Sequence, residues 1–228
     1  MATSTCATPI KGPHLRIVAL DACGIPVTGA GGLVAVSSGF VQAEMEPQYE
    51  DGEEFFERNA AGDACVHQKD DPTLKRLQLT VDWCEVNVLL SAYVMDARVL
   101  SEGGLPVTGT GVGTGFAVAE GSSTNRFSME IWQEVAGSGA CDASGNQRYI
   151  YTAWPNVGAT QVGSYTVENG RSTLQFISET RGASPFWDTL IGAPWLPAGE
   201  SVLDDEHWIW NVTTMPPPTS ACDTTTLP

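Results

Sequence analysis

The feature that most constrains the fold is a strict two-residue alternation at residues 77–84. Leu77, Leu79, Val81 and Trp83 fall on one face, and Arg76, Gln78, Thr80 and Asp82 on the other. A strand divided in this way belongs to an antiparallel sheet with one side against a core and the other in water. Residues 39–46 read similarly, with Val41, Ala43 and Met45 on an apolar face and Phe40, Gln42, Glu44 and Glu46 opposite. At 126–134, Phe127, Met129 and Ile131 oppose Ser128, Glu130, Trp132 and Glu134. Further strands are predicted at 15–20, 148–152, 165–168, 172–178 and 207–212, separated by polar turns. One helix is predicted over 85–94, with Val86, Leu89, Leu90 and Tyr93 at helical spacing. The pattern is mainly β: two packed antiparallel sheets, a sandwich or split barrel, with one short flanking helix.

The 228 residues show no internal linker and read as a single domain, 1–228. Residues 1–14 form a small, proline-punctuated N-terminal arm, and 213–228, with Pro216, Pro217 and Pro218, a C-terminal arm. The turn at 21–24 places Gly24 where a positive φ is needed. Residues 24–31 return in near copy at 104–111, which reads as one turn chemistry used twice; two copies are too few for a solenoid. Between the strands ending at 46 and starting near 75 lies a long acidic loop, about 47–74, where Phe55 and Phe56 sit among carboxylates. Adjacent exposed aromatics in such a loop suggest a docking surface, against the simpler reading that they fold back on the domain's own core.

Composition excludes several functions. A formal charge of −16 argues against nonspecific binding to nucleic acid or anionic membrane. No stretch approaches the roughly 20 apolar residues of a membrane span, and the N-terminus lacks the basic and apolar regions of a signal peptide. Assembly in a cytoplasm is expected. Six cysteines, at 6, 23, 65, 84, 141 and 222, include no Cys-x-x-Cys pair, so a structural zinc site is not expected, and thiol and disulfide states both stay open.

Candidate chemistry is sparse. The glycines at 109, 111, 113 and 115 match neither a dinucleotide fingerprint nor a P-loop, and no G-x-S-x-G elbow is present. Glu53 and Glu54 read as solvated neighbours rather than a glycosidase pair. Asp204, Asp205, Glu206 and His207 are contiguous, so their side chains diverge rather than wrap one ion. Asn211-Val212-Thr213 is a sequon without a secretory context. Trp132, Trp154, Trp187, Trp195, Trp208 and Trp210 offer sugar-stacking platforms, which keeps a non-polymerising carbohydrate-binding β-sandwich module as the alternative. No catalytic residue, metal or cofactor is assigned.

Residues 16–24, 38–41, 50–54 and 58–62, then Cys65-Val66, Leu74-Lys75-Arg76, Trp83-Cys84 and Ala140-Cys141-Asp142, and finally Ala221-Cys222 after the prolines, occur in an order that resembles the major tail tube proteins of long flexible-tailed, siphovirus-type phages of actinobacteria. The glycine-rich repeat after Leu105 departs from the pattern. The resemblance implies hexameric rings stacked into a tube within the virion tail. One sheet of each subunit would line a continuous inner barrel that passes DNA and the tape-measure protein, while a long loop and the arms bridge rings. Implied partners are further copies of the chain, the tape-measure protein, and the tail terminator and tip proteins. DNA would pass without specific binding, and no membrane is involved. On this reading the lumen-facing residues are Gln42, Glu44, Glu46, Gln78, Thr80 and Asp82. The inter-ring loop presents Glu50, Asp51, Glu53, Glu54, Phe55, Phe56, Glu57 and Arg58.

Overall fold

The computed structural model describes residues 7–29, 32–84, 87–101, 113–121, 123–169, 171–188, 196–197 and 200–219. Its elements are β1 (Thr8–Leu20), β2 (Val34–Ser37), β3 (Phe40–Glu50), β4 (Glu54–Arg58), β5 (Ala64–Lys69), β6 (Thr73–Trp83), α1 (Val88–Val94), β7 (Arg98–Ser101), β8 (Gly113–Ala117), β9 (Arg126–Ala136), β10 (Tyr149–Glu168), β11 (Arg171–Thr180) and β12 (Ile209–Thr213). The fold is mainly β. One antiparallel sheet runs β2-β1-β9-β10-β11-β6-β3, with β12 also on β10, and β4-β5 and β7-β8 form two separate hairpins.

The pivot of the large sheet is β10. Its residues from Tyr149 to Val157 pair with β9, and those from Val157 to Glu168 with β11. The register slips between Trp154 and Val157, then again between Gly158 and Gln161, and Ala159 takes a φ of +51°. Such bulges sharpen twist and bend a strand. The two halves of the sheet consequently turn to face one another. Leu15, Ile17, Phe127, Met129 and Ile131 from one half pack against Leu77, Leu79, Val81, Trp83, Leu174 and Phe176 from the other. Near the open side Trp154 Nε1 donates to Met45 Sδ at 3.4 Å, and a Cβ on Gly12 of β1 would lie 3.2 Å from the Phe40 ring of β3. This is the split-barrel form of the predicted sandwich. Leu90 and Val94 of α1 complete the core, and Asn87 caps the helix by accepting from the Leu90 amide at 3.0 Å.

The β1-β9-β10 half is buried on its second face as well. Val18, Leu20, Trp132, Tyr151 and Ala153 are covered there by Ala183, Trp187 and Val202, from the segment between β11 and β12. The described part of that segment is therefore a third layer. It also overturns the wet face expected for β9, because Ser128, Glu130 and Trp132 are all fully buried. The charged member is accommodated by pairing: Arg16 on β1 binds both carboxylate oxygens of Glu130, and the Tyr151 hydroxyl donates to the same carboxylate.

Other expectations shift in bounds. Residues from Thr8 onward belong to β1, paired with β9 through two register slips, so residues 8–14 of the predicted N-terminal arm are part of the sheet, and 1–6 lie outside the described residues. At the other terminus Thr213 still belongs to β12, and 220–228 lie outside the described residues, as does the second glycine-rich copy at 104–111. The helix starts at Val88, not 85, and Val86 lies outside the described residues. Strands predicted separately at 148–152 and 165–168 are one strand, with Pro155 inside the first register slip, where a missing N–H is tolerated. Gly24 does take a positive φ, of 79°.

Candidate assembly site

The six polar residues predicted to line a lumen share one face of the β3-β6-β11 half-sheet. Gln42 pairs with Asp82, Glu44 with Thr80 and Glu46 with Gln78 across the β3-β6 ladder. Their alternates Ala43, Met45, Leu79 and Val81 point into the core. One assignment on this strand is corrected. Between Phe40 and Gln42 two residues of β3 oppose one step of β6, a bulge that turns Phe40 onto the core and leaves Val41 exposed.

The face extends further than the six residues. Gln175 lies opposite Asp82 and donates to its carboxylate at 2.9 Å. Arg76 bridges Gln48 at 2.7 Å and Glu179 at 2.8 Å, and Gln48 donates to Gln78 at 3.0 Å. Gln48, Gln175 and Glu179 were legible in principle, since Gln175 and Glu179 alternate with core residues Leu174 and Phe176. The surface is thus a lattice of amides and carboxylates. Glu44, Glu46, Asp82 and Glu179 stand against one guanidinium, that of Arg76.

The acidic segment at 47–74 is not a loop. β3 continues to Glu50, β6 begins at Thr73 opposite it, and β4 and β5 extend the hairpin as a ribbon that turns at 59–63. Continuity demands Gly52, because a Cβ there would fall 1.9 Å from the Asp70 carbonyl oxygen. At about 3.3 Å per residue the ribbon reaches roughly 30 Å beyond the sheet. Every residue of β4 and β5 is exposed, on both faces. Phe55 is 52% and Phe56 47% exposed; the Phe56 ring carries the Arg58 guanidinium at 5.0 Å and meets His67 edge-on at 5.6 Å. The Glu54 carboxylate lies 3.2 Å from His67 Nε2, while that of Glu50 lies 3.5 Å from Lys75. Glu50, Asp51, Glu53, Glu54, Phe55, Phe56, Glu57 and Arg58 are therefore brought together on one bare arm, and the apolar pair does not fold back over the core.

The β10-β11 hairpin projects from the opposite end. Register places Tyr165 beside Leu174, Leu174 beside Trp83, and Trp83 beside Phe40, so the turn after Glu168 lies at the end where β3 begins and the ribbon at the end where it stops. Val162, Tyr165 and Val167 are exposed there, the last two by 63% and 67%. The strands at 165–168 and 172–178 are predicted from the sequence, but their exposure is not, because the apolar side chains look like core residues.

The other candidates come apart. His207 Nδ1 lies 2.8 Å from the Thr180 hydroxyl, Glu206 accepts from the Leu203 amide, and no group of three metal-ligating side chains forms among the described residues. Burial lowers the His207 pKa, with Asp205 opposing. Trp132, Trp154 and Trp187 are buried, Trp208 and Trp210 are half exposed, and Trp195 lies outside the described residues. Cys23, Cys65, Cys84 and Cys141 are exposed free thiols, while Cys6 and Cys222 lie outside the described residues. No helix among the described residues is long and apolar enough to cross a membrane. Compared with known protein families, the chain matches no family model, and among curated proteins it finds no significant relative.

Proposed function

We propose that the protein is a structural subunit of a phage tail tube, which closes into rings, of six copies as the resemblance implies, and stacks them into a conduit for DNA. The observation that carries this reading is the wet face of the β3-β6-β11 half-sheet. A sheet backed by a dry core and faced with amides and carboxylates is suited to be the wall of a water-filled channel. The half-sheet comprises β3, β6, β11 and the second part of β10. A ring of four or more copies would close a barrel of at least about 16 strands, the range in which a lumen stays open instead of filling with side chains. Each carboxylate would recur in every copy, and phosphates within about 10 Å would feel that field at moderate salt. DNA would slide without adhering. The role is architectural, without catalysis or cofactor, and the ribbon would bridge one ring to the next.

The lumen assignment has a direct test. Glu44→Lys combined with Glu46→Lys changes two exposed side chains, so monomer stability should move by no more than about 0.5 kcal/mol for each. Tubes of unchanged morphology are expected, and they should retain double-stranded DNA with a steep salt dependence that the parent lacks. In the phage, ejection should slow. Altered tubes that pass DNA as the parent does would exclude this face from the lumen. A protein that stays monodisperse under all conditions and binds glycans through Trp208 and Trp210 would favour the carbohydrate-binding alternative.

A further inference from the structure

We infer that neighbouring copies join edge to edge through a defined seam, the free edge of β3 around Ala43 and Met45 pairing antiparallel with the free edge of β10 over residues 162–168 of the next copy. The inference rests on the ring reading above and specifies its contact.

The direction of each backbone group on β3 follows from β6. The Leu77 amide donates to Thr180 Oγ1 of β11 at 2.9 Å, and the Cys84 amide donates to the Gly39 carbonyl on the β3 side at 2.8 Å. Odd-numbered residues of β6 thus turn their backbone groups to β11, and even-numbered residues turn theirs to β3. Glu44 and Glu46, opposite Thr80 and Gln78, spend their amides and carbonyls on β6. Ala43, Met45 and Pro47, opposite Val81, Leu79 and Leu77, turn theirs outward. Ala43 and Met45 then present a full donor and acceptor pair to an edge that no strand among the described residues covers. Pro47 presents a carbonyl and no N–H, so pairing stops there.

The other edge lies at the far side of the same half-sheet. The Thr160 carbonyl accepts from the Ser123 amide at 3.0 Å on the side away from β11, and beyond it no described residue pairs with that edge of β10. Residues 162–168 carry exposed Val162, Tyr165 and Val167, one charge at Glu168, and no proline. An edge so little protected is one that natural proteins cover by pairing. A second copy of this chain fits it on two grounds. The half-sheet has an even number of strands in alternating directions, so β3 of one copy and β10 of the next meet antiparallel, as every other pair in the sheet does. Joining them also keeps the wet faces of both copies on one side, whereas a slip of one residue would put carboxylates against core.

Hydrogen exchange of the parent protein tests the seam without a variant. On conversion from monomer to tubes, amides in the peptides covering 41–45 and 162–168 should slow on the order of 100-fold, while those of β2 keep their monomer rates. Ala43→Pro, which repeats at 43 what Pro47 does at 47, should leave a monomer with parent-like circular dichroism and reduce rings below detection in sedimentation. Tubes whose 41–45 and 162–168 amides exchange as in the monomer would overturn the seam and leave the tube reading standing. So would rings formed normally by a folded Ala43→Pro protein. Closed dimers protected only at 162–168 would point to β10 pairing with itself and overturn it too. A parent protein that never assembles under any condition would remove the tube reading, and the seam with it.

Discussion

Replacing residues 51–72 by a two-residue turn is expected to leave the domain folded and to abolish stacking into tubes. Glu50 and Thr73 are paired partners at the base of the ribbon, so a tight Asn-Gly turn can join them without altering the ladder below. No residue of β4 or β5 contributes to either core cluster, and every one of them is exposed. Removing such side chains costs little, and Tm should stay within about 3 °C of the parent. Both strands must go together. Excising 50–60 alone would leave β5 with unpaired backbone groups and a new sticky edge.

The effect on assembly should be large for the same reason that the effect on folding is small. A two-stranded hairpin with no face against a core is marginal in water. A ribbon that holds Phe55 and Phe56 bare while surrounding them with carboxylates has the composition of a surface finished by a partner, with a charged rim that hinders unguided association. Electron microscopy of the shortened protein should show single rings or monomers. Long regular tubes would exclude the ribbon from stacking, and loss of the cooperative melt would show that it supports the fold after all. Phe55→Ser with Phe56→Ser, which keeps the ribbon and its charge, should weaken stacking in the same direction.

What could be read from the sequence divides along a physical line. Alternation is visible wherever one face is dry and the other wet, so Leu77, Leu79, Val81 and Trp83 suffice to place β6 and its wet Gln78, Thr80 and Asp82, and Ala43 and Met45 do the same for Gln42, Glu44 and Glu46 on β3. It fails where both faces are alike. The ribbon is wet on both sides, so β4 and β5 carry no period and look like a loop. β9 is buried on both sides, and a glutamate facing a buried arginine is indistinguishable in sequence from one facing water. Local irregularities hide too. The bulge at Val41 exchanges the faces of Phe40 and its neighbour, and Pro155 makes one twenty-residue strand look like two. The seam was out of reach, because the outward turn of Ala43 and Met45 depends on the partner that Leu77 finds 103 residues away.

The largest loss of stability should come from breaking the buried pair at Arg16 and Glu130. The carboxylate is fully buried and receives Arg16 and Tyr151 together, which ties β1, β9 and β10 across three adjacent strands beneath Trp187. Burial would lower the Arg16 pKa, but Glu130 more than compensates and holds it raised; burial first, and then the same carboxylate, push the Tyr151 phenol well above its ordinary value. Both effects keep the guanidinium charged and the phenol neutral throughout the physiological range. Glu130→Leu leaves a guanidinium without its counterion under the third layer, and Arg16→Met leaves the carboxylate. Either should cost about 3–5 kcal/mol, equivalent to roughly 6–20 °C in Tm for a chain of this size. The double variant, Arg16→Met with Glu130→Leu, removes both charges and should recover most of that loss, because the pair's mutual attraction largely offsets its own desolvation. Denaturant unfolding of the four monomeric proteins measures the coupling. If the double variant is as unstable as the sum of the singles, the two charges act independently and the pair is not the element that joins these strands. If it recovers in stability but loses near-UV circular dichroism from Trp132 and Trp187, the pair's contribution is to fix where the third layer sits.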